Sequence, residues 1–123
     1  MKKEDILKEL KELEKFNFKD FIVLSGASLV LQNIIEETKD IDISITKEDY
    51  EKLDLKIEKG AFGIEIKTYK NFDISFNLYD SINFITIEGY KCADIDSVYE
   101  IKKKLNRKKD EKIIKKLEEI LSS

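Results

Sequence analysis

The chain contains no histidine, no proline and no tryptophan, one cysteine and four glycines among its 123 residues. The absence of histidine excludes Ser-His-Asp and Cys-His triads, imidazole general bases and every zinc site that uses an imidazole. A single cysteine, Cys92, excludes an internal disulfide and an all-cysteine zinc cluster. Cys92 beside Ala93 reads as a small buried hydrophobe. The free thiol, with no signal peptide in view, predicts an intracellular, reducing compartment, the cytoplasm. No apolar run approaches the roughly 20 residues of a membrane helix, so no membrane partner is expected. Without proline, Gly/Ser linkers or internal repeats no boundary emerges, and one domain over residues 1–123 is expected. The chemistry left is carboxylates with a divalent metal, Lys/Arg with phosphates, or none.

Charge is abundant instead. Charged residues make up 40% of the chain and hydrophobic residues 41%, which describes a globular domain with a densely charged surface. The net charge of −3 gives no basic footprint for non-specific nucleic-acid binding. Cations are nevertheless concentrated between Lys102 and Lys116, and the centre of the chain is acidic.

Residues 3–16 show the apolar spacing of an amphipathic helix that packs on a sheet, through Ile6, Leu7, Leu10, Leu13 and Phe16. Residues 20–25 read as a buried strand ended by Gly26, and 27–37 as a second helix. Ile41, Ile43 and Ile45 alternate with Asp40, Asp42 and Ser44, the period of a half-buried strand. Thr46 is placed to N-cap a short helix over 47–53. Strands are expected over 64–69, 72–78 and 82–87, with turns at Lys70-Asn71 and Glu88-Gly89. Helices over 96–105 and 109–121 finish the chain. The result is an α/β (α+β) domain with a mixed sheet. Phe62, Phe72, Phe76, Tyr79 and Phe84 read as sheet packing rather than base-stacking platforms.

Residues two apart in a strand share a face, so Asp40 and Asp42 project side by side. Adjacent carboxylates repel and are costly to desolvate; a hard divalent cation such as Mg²⁺ resolves the conflict. Asp73 lies out of phase with Phe72, Ile74 and Phe76 on a later strand. If the two strands are neighbours, Asp73 joins Asp40 and Asp42 around one or two ions, which would activate an attacking oxygen and stabilise a leaving one. The plainer reading is a strand with a solvated polar face. Gly26 follows an apolar strand and opens a helix, where free N–H groups suit a phosphate and Ser28 adds a hydroxyl; an ordinary strand-to-helix turn is the alternative.

Leu24-Ser25-Gly26-Ala27-Ser28, then Asp40-Ile41-Asp42-Ile43, then Asp73, in that order, resemble the fingerprint of the DNA polymerase β nucleotidyltransferase superfamily. More narrowly, Thr38-Lys39-Asp40-Ile41-Asp42 and the late Arg107-Lys108-Lys109-Asp110 resemble the small bacterial group related to abortive-infection toxin nucleotidyltransferases. The resemblance spans about residues 20–121. Ala27 stands where the family has a second Gly or Ser, and Asn106 where a glycine often precedes the arginine. The resemblance implies a nucleotidyltransferase fold and transfer of a nucleoside monophosphate from an NTP, ATP among them, to a hydroxyl on RNA, a protein or a small molecule. It implies Asp40, Asp42 and Asp73 as catalytic residues holding Mg²⁺ or Mn²⁺. It also implies a nucleotide site at Gly26, Ala27, Ser28, Lys102, Arg107 and Lys109, and admits a place in a toxin–antitoxin pair. A module of the same fold that binds nucleotide, nucleic acid or a protein without turnover is the rival reading.

Overall fold

A computed structural model describes residues 1–76 and 81–123. The chain opens with α1 (Lys3–Glu12), continued by a 3-10 turn to Phe16, and enters β1 (Phe21–Leu24). There follow α2 (Ser25–Leu31), β2 (Ile41–Ile45), α3 (Lys47–Glu51), β3 (Lys56–Lys59), β4 (Glu65–Tyr69), β5 (Phe72–Ser75), β6 (Phe84–Ile87), β7 (Tyr90–Ala93), α4 (Ile95–Leu105) and α5 (Glu111–Leu121). The strands form one mixed sheet in the order β3-β4-β5-β2-β1-β7-β6. The expected mixed-sheet α+β class is what the chain adopts.

Local chemistry sets the boundaries. Thr46 caps α3, its hydroxyl accepting from the Asp49 N–H at 3.2 Å, and Asp94 caps α4 by accepting from the Ser97 N–H at 2.8 Å. Asn106 ends α4 in the left-handed conformation, φ 48°, which asparagine tolerates. The turn at Lys70-Asn71 joins β4 to β5, and Glu88 and Gly89, both at positive φ, join β6 to β7.

Ile41, Ile43, Ile45, Phe72 and Ile74 are fully buried and face Ile6, Leu10, Leu13 and Tyr50 in one apolar cluster. A second cluster joins Ile22, Leu24, Leu29 and Ala93 to Val98 of α4 and Leu117 of α5. The sheet therefore carries α4 and α5 on the face toward which Asp42 and Asp73 point, opposite to their isoleucine and phenylalanine neighbours.

Several expectations need correction. The second helix stops at Leu31 rather than residue 37, because Asn33 turns left-handed at φ 62° and the Ile34 N–H bonds back to Leu29. Two strands, β3 and β7, were not anticipated. Of the five aromatics read as sheet packing, Phe72 is buried and Phe76 packs on Tyr50 with ring centroids 4.7 Å apart. Phe62 and Phe84 are instead exposed, 58% and 44%. Tyr79 and the end of the strand expected over 72–78 lie outside the described residues. Cys92 is buried as expected, and burial pushes its thiol up to about 11. Among the described residues no helix is long and apolar enough to cross a membrane.

Candidate active site

β2 and β5 run parallel, with Ile41 opposite Phe72, Asp42 opposite Asp73, Ile43 opposite Ile74 and Ser44 opposite Ser75. The register puts Asp42 and Asp73 side by side on one face, with the two serines behind them. The Ser75 hydroxyl donates to the Ile43 carbonyl at 3.3 Å, and the Ser44 hydroxyl to the Ser75 carbonyl at 3.4 Å. Asp40 precedes β2 and is exposed.

The electrostatic result is strong. Burial, with Asp73, Asp40 and a hydrogen bond to Asp73 adding to it, pushes the Asp42 carboxyl up to about 6, against a smaller opposing pull from Lys102. Asp73 is also raised, first by burial and then by Asp40. Two acids side by side on a half-buried face carry the cost of burial and like charge, and the larger shift falls on Asp42.

The pair opens into a cleft of about 500 Å³. Its walls bring together Asp42 and Asp73 from the sheet, Asp40 just before β2, Ser25 and Gly26 from the first turn, Lys102 from α4, and Arg107 and Lys109 from the connection between α4 and α5. Seven of the nine residues singled out in the sequence thus meet in one cavity. Gly26 sits so close to the loop before β2 that a Cβ there would lie 2.7 Å from the Thr38 Oγ1. Only glycine permits that approach without moving Thr38.

Ala27 and Ser28 do not line the cleft. Ala27 is 1% exposed and belongs to the core. The expectation that Ser28 adds a hydroxyl for a phosphate is overturned. Its side chain is fully buried and donates to the Ala93 carbonyl at 2.5 Å, while the Gln32 side-chain amide donates to the Ser28 hydroxyl at 2.9 Å. Ser28 fastens α2 to β7. Of the two serines in the first turn, Ser25 is the one at the cleft, and it takes φ 49° where the chain leaves β1. The strand end and the glycine are signals that pointed equally to Ser25.

On the helical wall, Lys102 is the inward lysine of its run; it is 4% exposed, while Lys103 and Lys104 face outward. Its Nζ lies 3.1 Å from Asp110 Oδ1, and Arg107 Nε lies 2.7 Å from Asp110 Oδ2. Burial would raise the Asp110 carboxyl, but the Lys102 and Arg107 hydrogen bonds outweigh it and hold it below the ordinary range. Asp110 therefore locks both cations at the cleft edge. Lys109 is exposed at the rim.

Among the described residues no three acidic or cysteine side chains form a ready-made metal cluster. The Asp42–Asp73 pair is nevertheless a hard-oxygen donor set whose mutual repulsion a divalent cation would relieve. Mg²⁺ usually takes one or two carboxylates and completes its shell with water and phosphate oxygens, so two acids suffice for a fit.

No protein-family model and no curated protein matches the chain. Among solved structures, a candidate nucleotidyltransferase from Thermotoga maritima superposes with a TM-score of 0.59 and 19% identity. The match covers 97% of this chain and 96% of that one. The chain shares the fold of that candidate nucleotidyltransferase. The superposition runs over nearly the whole length of both chains, so the sheet and both C-terminal helices belong to the shared architecture.

Proposed function

We propose that the protein is a metal-dependent nucleotidyltransferase that moves a nucleoside monophosphate from an NTP to a hydroxyl acceptor and releases pyrophosphate. The observation that carries this reading is the cleft that places the Asp42–Asp73 pair opposite Lys102 and Arg107. Acids on one wall suit Mg²⁺ or Mn²⁺, and cations on the other suit phosphates. Asp42 and Asp73, with Asp40 at the mouth, would hold the metal, which when bound neutralises developing charge on the transferred phosphoryl group. Asp73 accepts the proton of the acceptor hydroxyl. Ser25, Gly26, Lys102 and Arg107 hold the triphosphate, and Lys109 contacts either it or the acceptor. The acceptor class spans RNA, protein and small molecules, and a toxin–antitoxin setting rests on the sequence resemblance alone.

One observation favours a second reading. Asp40 stands exposed just before β2, and a module of this fold that binds nucleotide, nucleic acid or a protein partner without turnover needs no third acid beside the pair.

Thermal unfolding with Mg²⁺ or Mn²⁺ and each NTP, beside an Asp40→Asn/Asp42→Asn double variant, tests nucleotide binding. A ligand at about 100 times its Kd adds roughly 2.7 kcal/mol. A metal-dependent shift lost in the variant supports the cleft as the nucleotide site. No shift with any NTP argues against it. Pyrophosphate release with candidate acceptors then separates the enzyme from the inert module.

A further inference from the structure

The two edges of the sheet differ in kind. β6 reads Phe-Ile-Thr-Ile, without a charge, whereas β3 reads Lys-Ile-Glu-Lys and is exposed at every residue. Among the described residues β3 pairs with β4 alone, so one row of its backbone N–H and C=O groups has no strand partner. Ile57 at its centre is 58% exposed, although Leu55, two residues earlier, packs against the core. Phe62, held at φ 59° in the turn that leaves β3, is exposed to the same degree.

Charges on an exposed strand usually blunt it against pairing. Here the order of signs does the reverse for one register. Lys56 and Glu58 flank Ile57 and share a face, and they pair with each other along the strand at 3.1 Å, both exposed. A second β3, laid antiparallel with Ile57 opposite Ile57, sets Lys56 of each copy opposite Glu58 of the other. Two pairs of opposite charge then form on one face and an apolar contact on the other, self-complementary about a two-fold axis. A shift of one residue sets Lys56 opposite Lys59 or Ile57. A shift of two sets Glu58 against Glu58 or Lys56 against Lys56. Charge therefore selects the first register.

We infer that β3 is a self-association surface, through which two copies of this chain pair antiparallel, Ile57 to Ile57, and join two seven-stranded sheets into one. The axis stands normal to the sheet, so both Asp42–Asp73 pairs lie on the same side of it. Thr68 is the register partner of both Lys56 and Asp73, so Lys56 and Glu58 share the face of the acids. Five strand spacings, about 24 Å, separate the two copies of Asp73 across the strands. One step past Lys59 the same register brings the cleft-lining Gly60 of each copy beside Asp54 of the other, so the junction borders both clefts. A strand of four residues on each side is far below a standard interface, so the association is reversible and needs high protein concentration.

Sedimentation velocity on the full chain, from about 5 μM to about 1 mM, reads the association. The wild type should pass reversibly from monomer to dimer across this range. Glu58→Lys and Lys56→Glu each set like charges opposite one another and should weaken the dimer at least about tenfold, with Tm nearly unchanged. Mixed in equal amounts, the two variants should form a heterodimer, since every lysine then meets a glutamate. The double variant Lys56→Glu/Glu58→Lys should dimerise like the wild type. A wild type that stays monomeric at every concentration overturns the surface. So do single variants that dimerise as well as the wild type, and a mixture that associates no more tightly than its components.

Discussion

Asp42 on β2 and Asp73 on β5 are register partners across a parallel ladder, so two carboxylates occupy adjacent positions on the same face of the sheet. The fold holds them together although Asp73 raises the affinity of Asp42 for a proton. Relief comes from a proton or from a cation, and at neutral pH only the cation is plentiful.

The first prediction follows from that pair. The Asp42 carboxyl sits at about 6 in the folded protein against an ordinary 3.8. Between those values the folded state binds more protons than the unfolded state, so stability falls as pH rises through the window. Asp42→Asn removes the penalty. At pH 7 it should gain up to about 2–3 kcal/mol over the wild type, and below the ordinary carboxylate range the gain should vanish. Denaturant unfolding of both proteins across this range reads the effect. A wild type that matches the variant at pH 7 would show that Asp42 is unstrained.

The buried cluster around Asp110 predicts the opposite pH dependence. Its carboxyl is held below the ordinary range, so its stabilisation is present at neutral pH and lost as pH falls through the acid range. Asp110→Ala leaves Lys102, 4% exposed, without its counter-charge. The expected cost is about 3–5 kcal/mol. Lys102→Met/Asp110→Leu, which removes both charges, should recover most of it. Unfolding curves that show no difference between the single and double variants would refute the coupling.

The two serines of the first turn should separate stability from ligand binding. Ser28→Ala removes the bond to the Ala93 carbonyl and should cost about 1–3 kcal/mol while sparing nucleotide affinity. Ser25→Ala should leave Tm nearly unchanged and weaken Mg²⁺-NTP binding. The reverse pattern in paired Tm and titration measurements would restore Ser28 as the ligand.

Gly26 and Thr38 form a steric pair. Gly26→Ala drives its Cβ against Thr38 Oγ1 and should cost about 1 kcal/mol, since helix propensity offsets part of a 1–3 kcal/mol clash. Thr38→Ala in the same chain should restore stability and reveal a coupling in a double-mutant cycle. Additive effects would mean that the loop before β2 yields freely.

Much of this site is visible in the residues because it lies on strands, where a period of two fixes which side chains share a face. The alternation of Asp40, Asp42 and the isoleucines, and the phase of Asp73, needed only strand pairing to become a pair of adjacent acids. The lysine run was harder, since any of three neighbours satisfied the motif. The helical spacing of Val98 and Lys102, one turn apart, held the answer. Ser28 was misread because its partner lies on β7, a strand not anticipated despite the Glu88-Gly89 turn that announces it. β3, Lys56–Lys59, escaped because all four residues are exposed and three are charged. Phe62 escaped because hydrophobicity predicts burial, and nothing local reports that an aromatic side chain will be left outward on a strained turn.

β1 lies between β2 and β7, third from the β6 edge, so its outer side is closed by a strand some 70 residues later in the chain. During synthesis the acids emerge first, and the lysine and arginine that balance them emerge last. A growing chain released at residue 90 would carry the repelling carboxylates with neither β7 to complete the sheet nor α4 and α5 to roof the cleft. Assembly of the site is thus a late event, gated by long-range strand pairing, and the ribosome would hold an acidic, half-built sheet until the final helices arrive.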